Sequence, residues 1–421
     1  MSKIILFQPM AYSKYTGMPM GLLLTASNLT SYHDVVAVDL VATPLTDKEI
    51  ISFIVNENPD FVLIGGTSIS QPESYHIASL IKTNFPKIIV IKGGPHELFY
   101  PEQTAKHPEI DFVLSGDGET IPLLIEAILD GKQTEKIFYG TIHDLSNTAL
   151  PDRLLLYNSN SDYYDFLGVS TAQIRMTRGC VFNCSYCSQG TFRSYSNDYI
   201  LTDLENISQN GFLGVYWDDA IFTLDRKRLE SLLPQVSEYK FTMGCITRAG
   251  VNTDKETLQL MKKSGFEYIW FALESGDKKI RKQFNRENTG IEEVRQAVAN
   301  ARKVGLQPMV NIIIGSALEN ENTIQITIDA LKYIKPYGVS VSVFTIYPGH
   351  EGCDALTYEN PINRDRRLMP FDEGYGGKIL IEPATAEKWY HKIEDSLDSV
   401  GIKVLNFSDC RTPRMWQIPT A

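Results

Sequence analysis

Residues 175–190, RMTRGCVFNCSYCSQG, place three of the chain's six cysteines, Cys180, Cys184 and Cys187, within eight positions. They follow directly on TAQIRMT (171–177), a run that predicts a β-strand. Thiolates are soft ligands for iron–sulfur clusters and zinc, and a short loop directs three of them at one centre. A structural zinc ion takes four protein ligands, so a fourth would have to come from Cys245, Cys353, Cys410 or a histidine. A four-iron cluster on three cysteines instead leaves one iron open to a small molecule. Three incidental cysteines, buried as small apolar residues, are disfavoured at this spacing after a strand.

Working outward, GVYWDD (214–219), KFTMGCI (240–246), EYIWFAL (267–273), PMVNIIIG (308–315) and VSVSVFTIYP (339–348) predict further strands. Helical patterns such as KETLQLMKKSG (255–265) and GIEEVRQAVANARKVG (290–305) lie between them. Six βα units predict a full or partial β/α barrel over 171–350, with its active site at the carboxyl ends of the strands, where the cysteines fall. Upstream, KIILFQP (3–9), DVVAVDL (34–40), DFVLIGG (60–66), KIIVIKGG (87–94) and DFVLSGDG (111–118) alternate with amphipathic stretches. Residues 1–140 are therefore expected to form a doubly wound, Rossmann-like α/β domain with a parallel sheet. No GxGxxG follows its first strand, which argues against a dinucleotide site. Residues 141–170 read as a polar linker. Residues 351–421 read as a short C-terminal extension with one helix at 386–401 and no assignable motif.

The chain is 43% hydrophobic and 22% charged, with a net charge of -11, which disfavours nucleic acid as a partner. The start, MSKIILFQPM, fits a first strand better than a signal peptide, and no apolar run approaches the roughly 20 residues that span a bilayer. A cytoplasmic protein is expected, with no membrane association. In a reducing compartment clustered cysteines point to metal or redox chemistry rather than disulfides.

CVFNCSYC (180–187) resembles the CxxxCxφC signature of the radical S-adenosylmethionine (radical SAM) enzymes, φ being aromatic. The resemblance implies a [4Fe–4S] cluster on Cys180, Cys184 and Cys187, with SAM on the open iron and Tyr186 beside the adenine. Later motifs fit the same family. WDDAIFT (217–223) implies Asp218 or Asp219 at the SAM amino group. CITRAG (245–250) implies Arg248 at the SAM carboxylate or the cluster, and FALESG (271–276) implies Glu274 on the ribose and Ser275 at the methionine end. IIIGSALEN (312–320) keeps Gly315 and Glu319 of the usual adenine-side loop but has Ala317-Leu318 for its Pro-Gly pair. YPGHEG (347–352) resembles a PxPGT turn.

Residues 1–125 resemble the cobalamin-binding domain that precedes many radical SAM enzymes. The carrying stretches are MPMGLLLTASNL (18–29), VVAVDL (35–40), FVLIGGTSIS (61–70), VIKGGPHELFYPE (90–102) and FVLSGDGET (112–120). This implies cobalamin among loops 66–71, 93–97 and 116–120. Thr67, Ser68, Gly93, Gly94, His96, Gly116 and Glu119 would contact it, and Gln71 would lie near the cobalt. No DxHxxG occurs, so no histidine is marked as a lower cobalt ligand, and Asp117 stands where relatives more often have Glu. Together the two resemblances imply a cobalamin-dependent radical SAM methyltransferase acting on an unactivated carbon. Alternatives are oxidation, cyclisation or rearrangement by the same cofactors, or a non-catalytic cobalamin or iron–sulfur sensor. A small-molecule or peptide substrate is expected, near Tyr347, His350, Glu351 and Cys353, with a flavodoxin or ferredoxin as electron donor.

Overall fold

The computed structural model of the chain describes residues 1–9, 17–157, 167–188, 190–346 and 378–405, and these divide into two compact units. Tyr347, His350, Glu351, Cys353 and Cys410 lie outside the described residues.

The first unit comprises the described residues up to 157. Its strands are β1 (Lys3–Gln8), β2 (Asp34–Asp39), β3 (Phe61–Ile64), β4 (Ile89–Gly93), β5 (Phe112–Gly116) and β6 (Ile137–Gly140). They form one sheet in the order β2-β1-β3-β4-β5-β6, and every pairing is parallel. The helices are α1 (Met20–Ser27), α2 (Asp47–Glu57), α3 (Gln71–Asn84), α4 (Pro101–Ala105) and α5 (Ile121–Leu129). Central strands covered on both faces need continuous apolar runs, and Ile4, Ile5, Leu6 and Phe7 are all buried. One face packs Ile5, Phe7, Val62 and Val90 against Phe53, Ile54, Ile77 and Ile81 of α2 and α3. The strand order reverses between β1 and β3, which opens a crevice at their carboxyl ends. The edge strand β6 was not expected, because its four residues leave Tyr139 exposed and show no buried run.

The second unit is built on β7 (Thr171–Ile174), β8 (Thr177–Arg178), β9 (Arg193–Ser194), β10 (Gly214–Trp217), β11 (Thr242–Thr247), β12 (Phe266–Glu274), β13 (Gln307–Ile314), β14 (Gly338–Val343), β15 (Thr345–Ile346), β16 (Lys378–Ile379) and β17 (Lys403–Leu405). Seven of these form a parallel sheet in the order β17-β14-β13-β12-β11-β10-β7, an open β/α barrel. Its helices are α6 (Asn197–Gln209), α7 (Arg226–Val236), α8 (Lys255–Lys263), α9 (Lys278–Gln283), α10 (Ile291–Lys303), α11 (Glu321–Ile334) and α12 (Pro383–Asp398). Successive residues of a strand face opposite sides. Trp217 accordingly packs with Phe222 and Phe266 (5.2 and 6.4 Å between rings), while Tyr216 joins Trp270, Met309 and Leu167 in a separate cluster. The C-terminal extension does more than add a helix, because β17 pairs with β14 and enlarges the barrel sheet. No helix among the described residues is long and apolar enough to cross a membrane.

Candidate active site

The cysteines lie on the loop between β8 and β9, which pair antiparallel and pinch its base. Gly179 sits at φ +74, where a Cβ would meet the Gly190 carbonyl oxygen at 2.3 Å, so glycine is required for the loop to close. Cys180 and Cys184 are partly buried and Cys187 is exposed. The end of α9 and the residues after it fix the loop. Ser185 donates its hydroxyl to the Gln283 carbonyl (2.8 Å), and Asn285 donates to the Asn183 carbonyl (3.1 Å). Cys245 is wholly buried on β11, and burial pushes its thiol well up, so it does not join the three. Among the described residues no three His, Cys, Asp or Glu side chains converge tightly enough for a metal ion.

Two buried guanidiniums face the cysteines. Arg286 Nη1 lies 3.8 Å from Cys184 Sγ, while its Nη2 donates to the Ala272 carbonyl (2.8 Å) and lies 3.7 Å from Glu274. Arg248 donates to the Thr289 hydroxyl (2.8 Å) and stacks over the Phe182 ring (4.2 Å). No carboxylate lies within ion-pair distance of Arg248 among the described residues. Glu274, buried at the end of β12, sits beside a bulge at φ +67, an uncommon and costly conformation for a non-glycine residue. Tyr186 donates its hydroxyl to Glu274 (2.5 Å) and sets its ring edge-on against Phe284. The structure thus joins two residues that the sequence assigned to different parts of one ligand. Burial pushes both the Tyr186 hydroxyl and the Glu274 carboxyl up.

Other expected residues are turned toward the chain itself. Asp218 pairs with Arg175. Asp219 accepts from the Met176 N–H (3.1 Å) and the Thr177 hydroxyl (2.5 Å), tying the end of β7 to the cysteine loop, and burial pushes its carboxyl up to about 6. The Ser275 hydroxyl is wholly buried, accepts from the Asp277 N–H (3.1 Å) and lies 3.3 Å from the Thr327 hydroxyl. Gly276 admits no side chain, since a Cβ would meet Thr327 Cα at 2.6 Å, and Arg281 clamps the carbonyls of Ser275 and Gly276 (2.7 and 2.8 Å). Gly315 and Glu319 meet, the Gly315 N–H donating to the Glu319 carboxylate (3.0 Å).

In the first unit, loops 65–70 and 93–97 interlock. Gly94 adopts φ +130, and a Cβ there would meet the Gly66 carbonyl oxygen at 2.3 Å. The close approach expected at this glycine is therefore made by the chain itself. His96 is fully buried, its Nδ1 3.0 Å from the Ser68 hydroxyl and its Nε2 3.2 Å from Gln103 Oε1. Both ring nitrogens are thus engaged by the chain itself, and burial disfavours the charged form. Gln71 donates to Glu97 (3.1 Å). Gly93 and Gly116 end β4 and β5, Glu119 is buried beyond β5, and Thr67 is exposed.

Sequence reasoning missed Arg175, Arg286, Thr289, Lys92 and Glu97. A lysine within the buried run IVIKGG was the available signal for the last two, since such a residue needs a partner. The donor sets fit the implied groups. Three thiols beneath a cation without a carboxylate suit an anionic cluster and a carboxylate-bearing ligand. The glycine-lined strand ends of the first unit, with Gln71 Oε1 buried and unpartnered among the described residues, suit a large neutral ligand with an amide rim, as cobalamin has.

Comparison with known proteins gives the same division. Residues 174–331 match the Radical SAM superfamily and residues 9–125 the B12 binding domain. An uncharacterised methyltransferase of Pyrococcus horikoshii is 29% identical over 79% of this chain and 77% of its own. The hopanoid C-3 methylase of Methylococcus capsulatus is 28% identical over 88% and 76%. The anaerobic magnesium-protoporphyrin IX monomethyl ester cyclase of Cereibacter sphaeroides is 25% identical over 77% and 57%. In fold, the chain is similar to the radical SAM methyltransferase TsrM of Kitasatospora setae, solved with cobalamin and a [4Fe–4S] cluster (TM-score 0.68, 16% identity, 83% of this chain and 76% of that one). The cysteine loop at the barrel mouth and the glycine-lined first sheet are those of a radical SAM superfamily protein that carries a B12 binding domain, and the chain belongs to that superfamily.

Proposed function

We propose that this protein methylates an unactivated carbon of a small molecule or peptide, using a [4Fe–4S] cluster, SAM and cobalamin. The observation that carries the reading is the coexistence, on one chain, of the three-cysteine loop under unmatched Arg248 with a B12 binding domain. Bound in place, the cluster supplies an electron for opening SAM and cobalamin carries the methyl group.

The chain's own residues position these groups. Cys180, Cys184 and Cys187 hold the cluster, with Asp219 fixing the approach to their loop. Arg248 neutralises the SAM carboxylate or the cluster. Glu274, oriented by Tyr186 and Arg286, accepts from ribose hydroxyls, and the Gly315–Glu319 turn borders the adenine. Asp218, paired with Arg175, is the acid nearer to solvent and the better candidate for the SAM amino group. A flavodoxin- or ferredoxin-type donor would deliver electrons in the cytoplasm, where the thiolates stay reduced.

The test is product stoichiometry in anaerobically purified protein supplied with cobalamin. Methylation gives 5′-deoxyadenosine together with S-adenosylhomocysteine. The similarity to a cyclase favours, as a second reading, carbon oxidation or ring closure without methyl transfer, which gives 5′-deoxyadenosine alone. Zinc without iron in the reconstituted protein would sink both.

A further inference from the structure

Lys92 and Glu97 form an ion pair (3.2 Å) in which both side chains are fully buried. Desolvating two charges costs so much that such a pair is weak evidence of stabilisation, and an apolar pair of similar volume is often as stable. Its hydrogen bonds show what it holds instead. An ammonium has three donors, and Lys92 spends them on the Gly65 carbonyl (3.0 Å), the Gly93 carbonyl (2.9 Å) and Glu97 Oε2. It therefore ties the end of β3 to the end of β4. Glu97 Oε1 accepts from the Gln71 amide (3.1 Å) and the Thr104 hydroxyl (3.1 Å).

Only a donor can face a carboxylate, so Glu97 forbids the flipped form of the Gln71 amide. The carbonyl oxygen of Gln71 is thereby committed to the other direction, and it is the atom of this set that is buried with no partner among the described residues. The network is charge-neutral and closed except at one acceptor, at the first residue of α3, at the carboxyl end of the sheet. A ligand bound there must supply a hydrogen-bond donor, an N–H or an O–H. The primary amides around a corrin ring supply many.

We propose that the Lys92–Glu97 pair is a positioning device for cobalamin, fixing Gln71 so that its carbonyl oxygen accepts from an amide N–H of the cofactor. This rests on cobalamin binding by residues 9–125. The experiment titrates the full-length chain with hydroxocobalamin, following absorbance and fluorescence quenching, and records thermal unfolding without ligand. Gln71→Leu is expected to weaken binding about five- to tenfold, the value of one buried hydrogen bond, and to lower the unfolding temperature because buried Glu97 loses a donor. The double variant Lys92→Met/Glu97→Leu keeps an apolar, filled core while freeing the Gln71 amide. It is expected to unfold near the wild-type temperature yet bind as weakly as Gln71→Leu. Wild-type affinity in either variant overturns the proposal, as does a double variant whose binding recovers in step with its stability. Absence of saturable binding by the wild-type chain instead overturns the cobalamin reading, and this proposal with it.

Discussion

At the carboxyl end of the barrel sheet, Arg248 and Arg286 are buried, and Arg286 alone lies within ion-pair distance of a carboxylate, Glu274, which already accepts a hydrogen bond from the Tyr186 hydroxyl. At the carboxyl end of the first sheet, Lys92 is buried too, but Glu97 matches it and two carbonyls saturate its donors. Among the described residues, one end carries two guanidiniums against one carboxylate, and the other is neutral with one buried acceptor unpartnered. A surplus buried cation is tolerable only where an anion arrives. A neutral polar rim suits a ligand recognised by shape and amides. The charge balance at the strand ends thus distinguishes the candidate thiolate site from the candidate cobalamin site without reference to either ligand.

The comparison breaks first if the cationic end does not depend on its thiolates. Cys184→Ala is expected to lower iron in the purified protein and reduce 5′-deoxyadenosine formation to background. Retained SAM cleavage would refute the ligand assignment. Next in size is Arg248→Met, which keeps bulk over Phe182 and removes the unmatched cation. Loss of one charge-assisted contact of about 1.5–3 kcal/mol is expected to lower kcat/KM for SAM cleavage by about 10- to 100-fold. Iron content should stay at the wild-type level. Equal kinetics would mean that the surplus charge serves only the fold.

The first sheet is tested by its backbone rather than its charge. Gly94→Ala would place a methyl group 2.3 Å from the Gly66 carbonyl oxygen at φ +130. Strain of this kind costs about 2 kcal/mol or more. For a unit of this size the unfolding temperature should drop by about 4–8 °C. A variant as stable as wild type would show that the two loops separate easily, and that their interlocking does not preform the site.

Much of the fold and part of the candidate site are legible in the amino-acid sequence. The cysteine loop can be read because ligand chemistry fixes the spacing, and the sheets because runs such as KIILFQ and PMVNIII admit one periodicity. Residue types at strand ends are readable, but not the direction they face. Asp219, Ser275 and His96 spend their polar atoms on neighbouring backbone and side chains, a choice decided by loop geometry that no local pattern encodes. Arg286 escapes notice because it follows a six-residue helix rather than a strand. The short strands β6 and β17 exist only through pairing with β5 and β14, so tertiary contact creates them.

The smallest effect comes from Glu319, half-buried in the turn between β13 and α11. Its carboxylate accepts from the Gly315 N–H and the Thr323 hydroxyl (3.3 Å), yet burial outweighs these bonds and pushes the carboxyl up to about 7. An unfolded glutamate titrates near 4.3. Between those values the folded chain binds more protons than the unfolded one, so stability falls as pH rises. The contribution is fully present below the unfolded value and lost as pH passes the folded one. Glu319→Gln removes this titration while leaving an acceptor for the Gly315 N–H. Asp219, also pushed up by burial, is common to both proteins and cancels in their difference. The urea midpoint of the variant, relative to wild type, is therefore expected to rise between pH 5 and pH 8. A pH-independent difference would mean that water solvates the carboxylate. If added SAM reduces the pH-dependent difference, the turn lies against the ligand and Glu319 belongs to the charged end of the comparison.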